Sequence, residues 1–354
     1  MNRPKANGNG DPPDGRRQIL PSPAPGRSKR QPVPVSVRPA MPGSDPTPAP
    51  AGKPPAACWP LILETRGWDD YALLDFGHGR KLERYGRIVV DRPEPQAMGA
   101  PRLPEKRWLS ADAVFTGNDE DDGPGRWRLN RDLPETWPMR FHDVHFLGRF
   151  MSFRHVGVFP EQAAHWQWMA ERVAARKAAG GKPMRILNLF GYTGLASLVP
   201  AAAGAEVTHI DASKKAIGWA RENQAMSGLD DLPVRWICED AVKFVAREVK
   251  RGNRYDGILL DPPKYGRGPK GEVWDLYESL PALMPMIEEI LSPEADFLVL
   301  TAYAIRASFL SLHELMAETL SRRGGVLASG ELVLREEGGS RALSTSLYSR
   351  WSAS

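Results

Sequence analysis

The chain has only two cysteines in 354 residues, Cys58 and Cys238. That excludes a disulfide scaffold and any multi-cysteine metal site. It has no unbroken apolar run of about 18 residues, so no membrane-spanning helix is expected. It has no apolar stretch of the kind a secretory signal needs, so a cytoplasmic location is expected. Its seven histidines lack metal-ligand spacing, so no metal is expected. A strong charge of either sign is also missing: 47 Lys+Arg against 43 Asp+Glu give +4. Even that excess is local. Residues 1–57 carry nine Lys/Arg and three Asp, a net of +6. The other 297 residues carry 38 basic and 40 acidic groups, a net of −2. The body of the protein therefore offers no bulk-charge argument for binding nucleic acid.

What is present is unevenly distributed. Of 33 prolines, 15 fall in residues 1–57, among Gly, Ala, Ser and Arg and with few large apolar side chains. Such a segment cannot bury enough surface to offset the entropy of ordering, and it is expected to be disordered. Residues 58–160 read as short strands and turns, a small β-rich region with a possible role in substrate binding. They include a hairpin at 71–76 and 80–85, a strand at 87–91, an acidic loop at 118–124 and a strand at 145–150. Basic and aromatic residues interleave here: Arg80, Lys81, Arg84, Tyr85 and Arg87, then Arg126, Trp127, Arg128 and Arg131. Such clusters suit backbone contacts and base stacking. The same stretch holds nearly equal acid and base, so a solvated mixed-charge surface is the competing reading.

From residue 161 the pattern alternates helix and strand. A helix is expected over 161–180, stopped by Gly180-Gly181. Strands follow at 185–189, 206–210, 234–237, 257–260 and 297–300, with helices between them and a last helix at 309–321. Ser213 is placed to cap one helix and Gly228 to end it. The strands are short continuous apolar runs, as in a parallel sheet covered on both faces. Residues 161–354 are therefore expected to form a doubly wound, mostly parallel α/β domain. Ligands bind such sheets at the carboxyl ends of the strands.

Four strand ends carry candidates. The first is Asn188-Leu-Phe-Gly-Tyr-Thr-Gly194, where Gly191 and Gly194 allow a sharp turn and close approach of a ligand. The second ends at Asp211, suited to accept hydrogen bonds from ribose hydroxyls. The third ends at Glu239-Asp240, facing an adenine edge or simply capping the next helix. The fourth runs into Leu260-Asp-Pro-Pro-Lys-Tyr265. Two prolines after a buried strand fix a rigid turn and leave carbonyls without a local donor. Asp261 beside that turn can hold an amine, with the Pro262 carbonyl as companion. Lys264 suits a phosphate or simply solvent; Tyr265 suits stacking on a base or ordinary packing.

Glycine turn, ribose acid and Asp-Pro-Pro together resemble class I S-adenosylmethionine-dependent methyltransferases, which have a Rossmann-like fold. The resemblance implies that the loop Gly191, Tyr192, Thr193 and Gly194 takes the methionine end of S-adenosyl-L-methionine, with Asn188 and Phe190 also binding the cofactor. It implies that Asp211 takes the ribose and Asp240 the adenine, with Ala212 and Ala241 also binding the cofactor. It sets Asp261, Pro262, Pro263, Lys264 and Tyr265 between methyl donor and acceptor. The Asn-x-Phe-x-Tyr-Thr-Gly and Asp-Pro-Pro-Lys motifs are similar to those of bacterial large-subunit ribosomal RNA methyltransferases. So is Gly157-Val-Phe-Pro-Glu-Gln162, which implies that Phe159 and Gln162 help enclose the cofactor. Glu161 stands where that group has Asp, and Ala163 where it has Arg. The likeness runs from about residue 154 to 301.

One departure bears on chemistry. The 5-methylcytosine members of that group carry a nucleophilic Cys after the fifth strand, because attack at C6 needs a thiolate. Here that stretch reads Leu298-Val-Leu-Thr-Ala-Tyr-Ala-Ile305, and Tyr303 is a weaker candidate within it. Cys238, at the third strand, reads as a small buried hydrophobe. Methyl transfer to a base nitrogen of ribosomal RNA is therefore expected rather than to cytosine C5. The rivals are a protein or small-molecule acceptor, and a non-catalytic RNA-binding assembly factor that keeps the fold. A nicotinamide dehydrogenase is disfavoured, since the loop is not Gly-x-Gly-x-x-Gly. The oligomeric state does not follow from the sequence.

Overall fold

The computed structural model describes residues 52–117, 125–303 and 305–353. The acidic loop at 118–124 and most of the 1–57 segment lie outside them.

Strand β1 (Ala56–Thr65) comes first. It is followed by β2 (Tyr71–Gly77), β3 (Arg80–Tyr85), β4 (Ile88–Pro93), the short helix α1 (Glu105–Leu109), β5 (Ala113–Thr116) and β6 (Arg126–Leu129). A hairpin of β7 (Thr136–Phe141) and β8 (Val144–Arg149) completes the β-rich part. A 3-10 turn at Pro160–Gln162 then leads into α2 (Ala163–Ala178), β9 (Arg185–Leu189), α3 (Leu195–Ala203), β10 (Glu206–Asp211) and α4 (Lys214–Met226). Next come β11 (Val234–Cys238), α5 (Ala241–Arg251), β12 (Gly257–Leu260), the small hairpin β13 (Tyr265–Arg267) and β14 (Val273–Asp275), and α6 (Leu276–Ile290). The chain closes with β15 (Phe297–Tyr303), α7 (Phe309–Thr319), β16 (Val326–Arg335) and β17 (Ala342–Ser352).

The large sheet has the order β1-β16-β17-β15-β12-β9-β10-β11. Only β17 runs against the rest; the pairings among β15, β12, β9, β10 and β11 are all parallel. One core packs α2, α3 and the β-rich region on one face; α5, α6 and α7 pack on the other. The expected doubly wound sheet is therefore present. The chain leaves β9 in both directions, to β10 on one side and β12 on the other. That reversal opens a crevice at the carboxyl ends of β9 and β12, where such folds bind ligands.

Two expectations need correction. Ala56 and Ala57, assigned to the disordered tail, already belong to β1. That strand joins the large sheet through β16, so it is not part of the small β-rich region either. Residues 326–352 form two long strands that the helix–strand alternation did not reveal. They alternate apolar and small polar residues, the pattern of antiparallel pairing rather than of a buried parallel strand.

The β-rich region is a five-stranded sheet, β2-β3-β4-β5-β6, with the β7–β8 hairpin beside it. Its inner face buries charge. Lys81, Glu83, Arg92 and Glu94 are all at most 3% exposed. Arg92 clamps Glu83, which also accepts from the hydroxyls of Tyr71 and Tyr85 at 2.8 and 3.0 Å. Lys81 sits 3.1 Å from Glu94. Lys81 and Tyr85 are therefore not available to a nucleic acid. Of the basic clusters, Arg87, Arg126, Arg128 and Arg131 remain exposed.

Candidate active site

The loop after β9 is held in an unusual backbone shape. Phe190 and Tyr192 have φ of 60° and 52°, and Gly194 has 90°. Left-handed non-glycine residues cost about 1–3 kcal/mol each and persist only when their surroundings fix them. Four contacts do so. Gly191 N–H donates to the Ile210 carbonyl at 3.0 Å. Tyr192 N–H donates to Asp211 Oδ2 at 2.8 Å. Thr193 Oγ1 donates to the Gly157 carbonyl at 2.7 Å, and Asn223 Nδ2 donates to the Thr193 carbonyl at 2.9 Å. Packing alone already requires both glycines. A Cβ on Gly191 would fall 2.3 Å from the His209 ring, and one on Gly194 2.8 Å from Ala220.

Asp211, at the end of β10, accepts one backbone N–H on each oxygen, from Tyr192 and from Ser213 at 2.8 Å. Burial nevertheless pushes its pKa up, against the pull of those two bonds. Each oxygen keeps a lone pair for a further donor. Asp240 caps α5, accepting from Lys243 N–H at 2.9 Å, which is the structural role the sequence allowed for it. The ends of β10 and β11 are tied together by Glu239 N–H on the Asp211 carbonyl at 3.0 Å. Ala212 and Ala241 flank the two acids on the same rim.

Across the crevice, Asp261 follows β12. Thr301 Oγ1, on β15, donates to Asp261 Oδ1 at 2.6 Å. Thr301 in turn accepts from Gln162 Nε2 at 3.1 Å. Burial raises the Asp261 pKa to about 6, and the Thr301 bond holds it from rising further. Phe159 forms a ring wall with Tyr192 at 5.7 Å and Tyr303 at 5.4 Å between centroids. Arg154 donates to the Tyr303 hydroxyl at 3.0 Å and to the Pro93 carbonyl at 3.2 Å. This links the wall to the β-rich sheet.

One cleft brings together Phe159, Gln162, Asn188, Phe190, Gly191, Tyr192, Thr193 and Asp261. Eight of the residues singled out in the sequence therefore meet. Others lead away. Pro262 is buried, while Pro263, Lys264 and Tyr265 are exposed. The Pro263 carbonyl already accepts from Trp274 Nε1 at 2.7 Å. Tyr265 begins the β13–β14 hairpin and is 55% exposed. A second hollow is lined by residues 67–70 and 140–143 and shares none of these groups. Sequence reasoning missed Thr301, Ser197, His209 and Trp274. Thr301 had a signal: a polar residue closing the apolar run Phe297-Leu-Val-Leu300.

Comparison with known proteins decides the family. Residues 116–322, more than half of the chain, match the family model described as S-adenosylmethionine-dependent methyltransferase. The chain belongs to that family. A solved S-adenosylmethionine-dependent methyltransferase from Agrobacterium tumefaciens is 58% identical, with a TM-score of 0.82 over 86% of this chain and 97% of that one. A Streptococcus mutans structure shares the fold at 14% identity, with a TM-score of 0.60 over 79% of this chain and 75% of that one. Among curated relatives, ribosomal RNA large subunit methyltransferase K/L of Shewanella frigidimarina is 33% identical over 127 residues. That match covers 35% of this chain and 18% of the relative. The protein of the same name from Desulfotalea psychrophila is 28% identical over 188 residues, 52% of this chain and 24% of the relative. The chain thus spans a quarter or less of the length of these relatives.

The protein is an S-adenosylmethionine-dependent methyltransferase, and its crevice fits that cofactor. Asn188 is 1% exposed and its Oδ1 meets no donor within the described residues. A buried acceptor left open costs about 1–3 kcal/mol, and a ligand donor removes that cost. Asp211 supplies a carboxylate with free lone pairs on the same side. Among the described residues no helix is long and apolar enough to cross a membrane.

Proposed function

We propose that this methyltransferase modifies a base nitrogen of large-subunit ribosomal RNA. The names of the curated relatives support the substrate class. The observation that carries the atom is Asp261. It stands at the strand-order reversal, pinned by Thr301, with its pKa raised to about 6 by burial. Above that pH it is an anionic acceptor in a poorly hydrated crevice, suited to a base amine or ring N–H. It orients the nitrogen and offsets positive charge as the nitrogen is alkylated. The cofactor, when bound, supplies an electrophilic methyl group on a sulfonium. No covalent enzyme adduct is needed for a nitrogen acceptor, so positioning contributes most of the effect; effective molarity can contribute roughly 7–11 kcal/mol. Cytosine C5 chemistry requires a thiolate. Cys58 lies on the exposed edge strand, and Cys238 Sγ points to the Ala212 carbonyl at 3.5 Å.

Nucleoside mass spectrometry of ribosomal RNA tests this reading. A deletion strain should lack one N-methylated nucleoside. Wild-type protein should restore it and Asp261→Ala should not. An unchanged nucleoside profile overturns the RNA assignment. The near-neutral body favours a second reading, a protein or small-molecule acceptor. Transfer of labelled methyl groups into total protein or the small-molecule fraction, with none into RNA, would establish it.

A further inference from the structure

Below the β9 loop lies a buried chain of hydrogen bonds that the proposed methyl transfer does not use. Asn188 Nδ2 is 2.9 Å from Ser197 Oγ, and Ser197 Oγ is 2.9 Å from His209 Nδ1. Asn188, Ser197 and His209 are at most 1% exposed. The two outer atoms of the chain, Asn188 Oδ1 and His209 Nε2, meet no partner among the described residues. Burial drives the His209 pKa down to about 3, so the ring is neutral at working pH.

A neutral imidazole has one donor and one acceptor nitrogen, and a hydroxyl has one proton. With the Ser197 proton used inside the chain, the three groups can be ordered in two directions. In the first, the amide N–H donates to Ser197, Ser197 donates to a bare Nδ1, and the amide presents its oxygen outward. In the second, a protonated Nδ1 donates to Ser197, Ser197 donates to the amide oxygen, and the amide presents its NH2 outward. The two directions suit opposite ends of an amino acid. An oxygen receives an ammonium; an NH2 group receives a carboxylate.

We propose that Ser197 and His209 are positioning residues that lock Asn188 in the first direction, so that its Oδ1 receives the ammonium of the cofactor's methionine moiety. The amide already sets Nδ2, not Oδ1, on Ser197 Oγ, and the ring's surroundings keep Nδ1 on that same oxygen. The His209 ring lies 4.6 Å from that of Trp236, and a Cβ on Gly191 would clash with its Cε1. Neither flank leaves room for the ring to turn. Ser197 sits in the first turn of α3, so its backbone is fixed by the helix that the loop opens.

The test uses the full chain and two ligands: S-adenosylhomocysteine, which keeps the amino-acid end, and 5′-methylthioadenosine, which lacks it. Titration calorimetry should show Ser197→Ala binding S-adenosylhomocysteine about tenfold more weakly than wild type, with 5′-methylthioadenosine unchanged. His209→Asn, which keeps a side-chain acceptor near the Nδ1 position, should bind S-adenosylhomocysteine better than His209→Phe does, with 5′-methylthioadenosine bound equally by both. Nitrogen NMR of the histidine-labelled protein should report an unprotonated Nδ1 at His209. A protonated Nδ1 overturns the proposed direction. Equal weakening for both ligands, or none for either, overturns the positioning role. If His209→Phe does not fold, the Ser197→Ala titration and the tautomer still decide.

Discussion

Thr301 offers the sharpest handle on the proposed acceptor chemistry. Its hydroxyl donates to Asp261 Oδ1 at 2.6 Å and accepts from Gln162 at 3.1 Å. Thr301→Val keeps the shape and removes the donor. A hydrogen bond to a charged group contributes about 1.5–3 kcal/mol. At about 1.4 kcal/mol per pH unit, its loss should raise the Asp261 pKa by roughly 1–2 units. Asp261 starts from about 6, raised by burial against the Thr301 bond. Only its ionised form serves as the acceptor, so activity should climb as pH passes through the pKa. The acidic limb should then move from about pH 6 to roughly 7–8 in the variant. The measurement is kcat/KM for labelled methyl transfer between pH 5 and 9, since that ratio reports groups of the free enzyme. Thr301→Ser keeps the hydroxyl and should keep the wild-type limb. Loss of the Gln162 contact alone would lower the rate at every pH without moving the limb. A Thr301→Val limb still at pH 6, or one moved to lower pH, refutes the role given to Asp261.

Asp261→Asn should stabilise the folded protein while abolishing transfer. The folded pKa is about 6 against an ordinary 3.8. Folded-state preference for the protonated acid is therefore full below about pH 4 and lost as pH rises through 6, so at pH 8 the charge destabilises by up to about 3 kcal/mol. Urea unfolding should show the variant's advantage roughly doubling between pH 5 and pH 8, to about 3 kcal/mol. Asp211→Ala should weaken S-adenosylhomocysteine binding about 10- to 100-fold by calorimetry, as expected for losing hydrogen bonds to a charged acceptor. Glu83→Gln should cost about 3–5 kcal/mol in urea unfolding at neutral pH, because it strands Arg92 in the interior. Burial pushes Glu83 up, but Arg92 and Lys81 outweigh it and hold it at about 2. Its stabilisation is thus present above about pH 4.5 and lost towards pH 2, and the variant should not show that acid limb. Deleting residues 1–51 should flatten the salt dependence of RNA binding and leave cofactor affinity unchanged, as judged by filter binding from 50 to 300 mM salt; an unchanged slope excludes the basic tail from RNA capture.

The parallel half of the sheet was legible because burial on both faces writes itself as short apolar runs. The bounds 185–189 and 257–260 were read as observed, and Ser213 caps α4 as expected. The cleft was legible for the same reason: its residues follow those runs. Strands β1, β16 and β17 were not. Each has polar or exposed positions, and β1 reaches its partner β16 across more than 200 positions, as in Cys58 beside Ala328. No local pattern carries that. The buried ions of the β-rich sheet misled for a related reason. Arg80-Lys81-Leu-Glu83-Arg84 looks like a solvated face until Arg92 and Glu94 arrive from the next strand to neutralise it. His209 and Ser197 matter only through each other, so neither stood out alone.

Four groups that break local rules gather in one place. Phe190 and Tyr192 take left-handed backbone, Asn188 leaves an acceptor open, and Asp261 holds a charge that burial opposes. All four line the crevice at the reversal of strand order. Elsewhere Glu83 and Glu94, equally buried, have cationic partners. A chain selected only for stability would have relieved the four together, since each costs about 1–3 kcal/mol and none supports another. Their clustering means that the loop, the amide and the carboxylate are held ready for contacts supplied from outside the chain. Cofactor and acceptor binding should therefore do more than fill space. They complete hydrogen bonds the protein leaves unmade, and a saturating ligand stabilises the fold by mass action in proportion to its affinity. On this reasoning, Asn188→Leu should raise the melting temperature of the ligand-free protein and shrink the further rise on adding S-adenosylhomocysteine. A variant less stable without ligand would show that Asn188 is structural, and that the open acceptor is not what the cofactor meets.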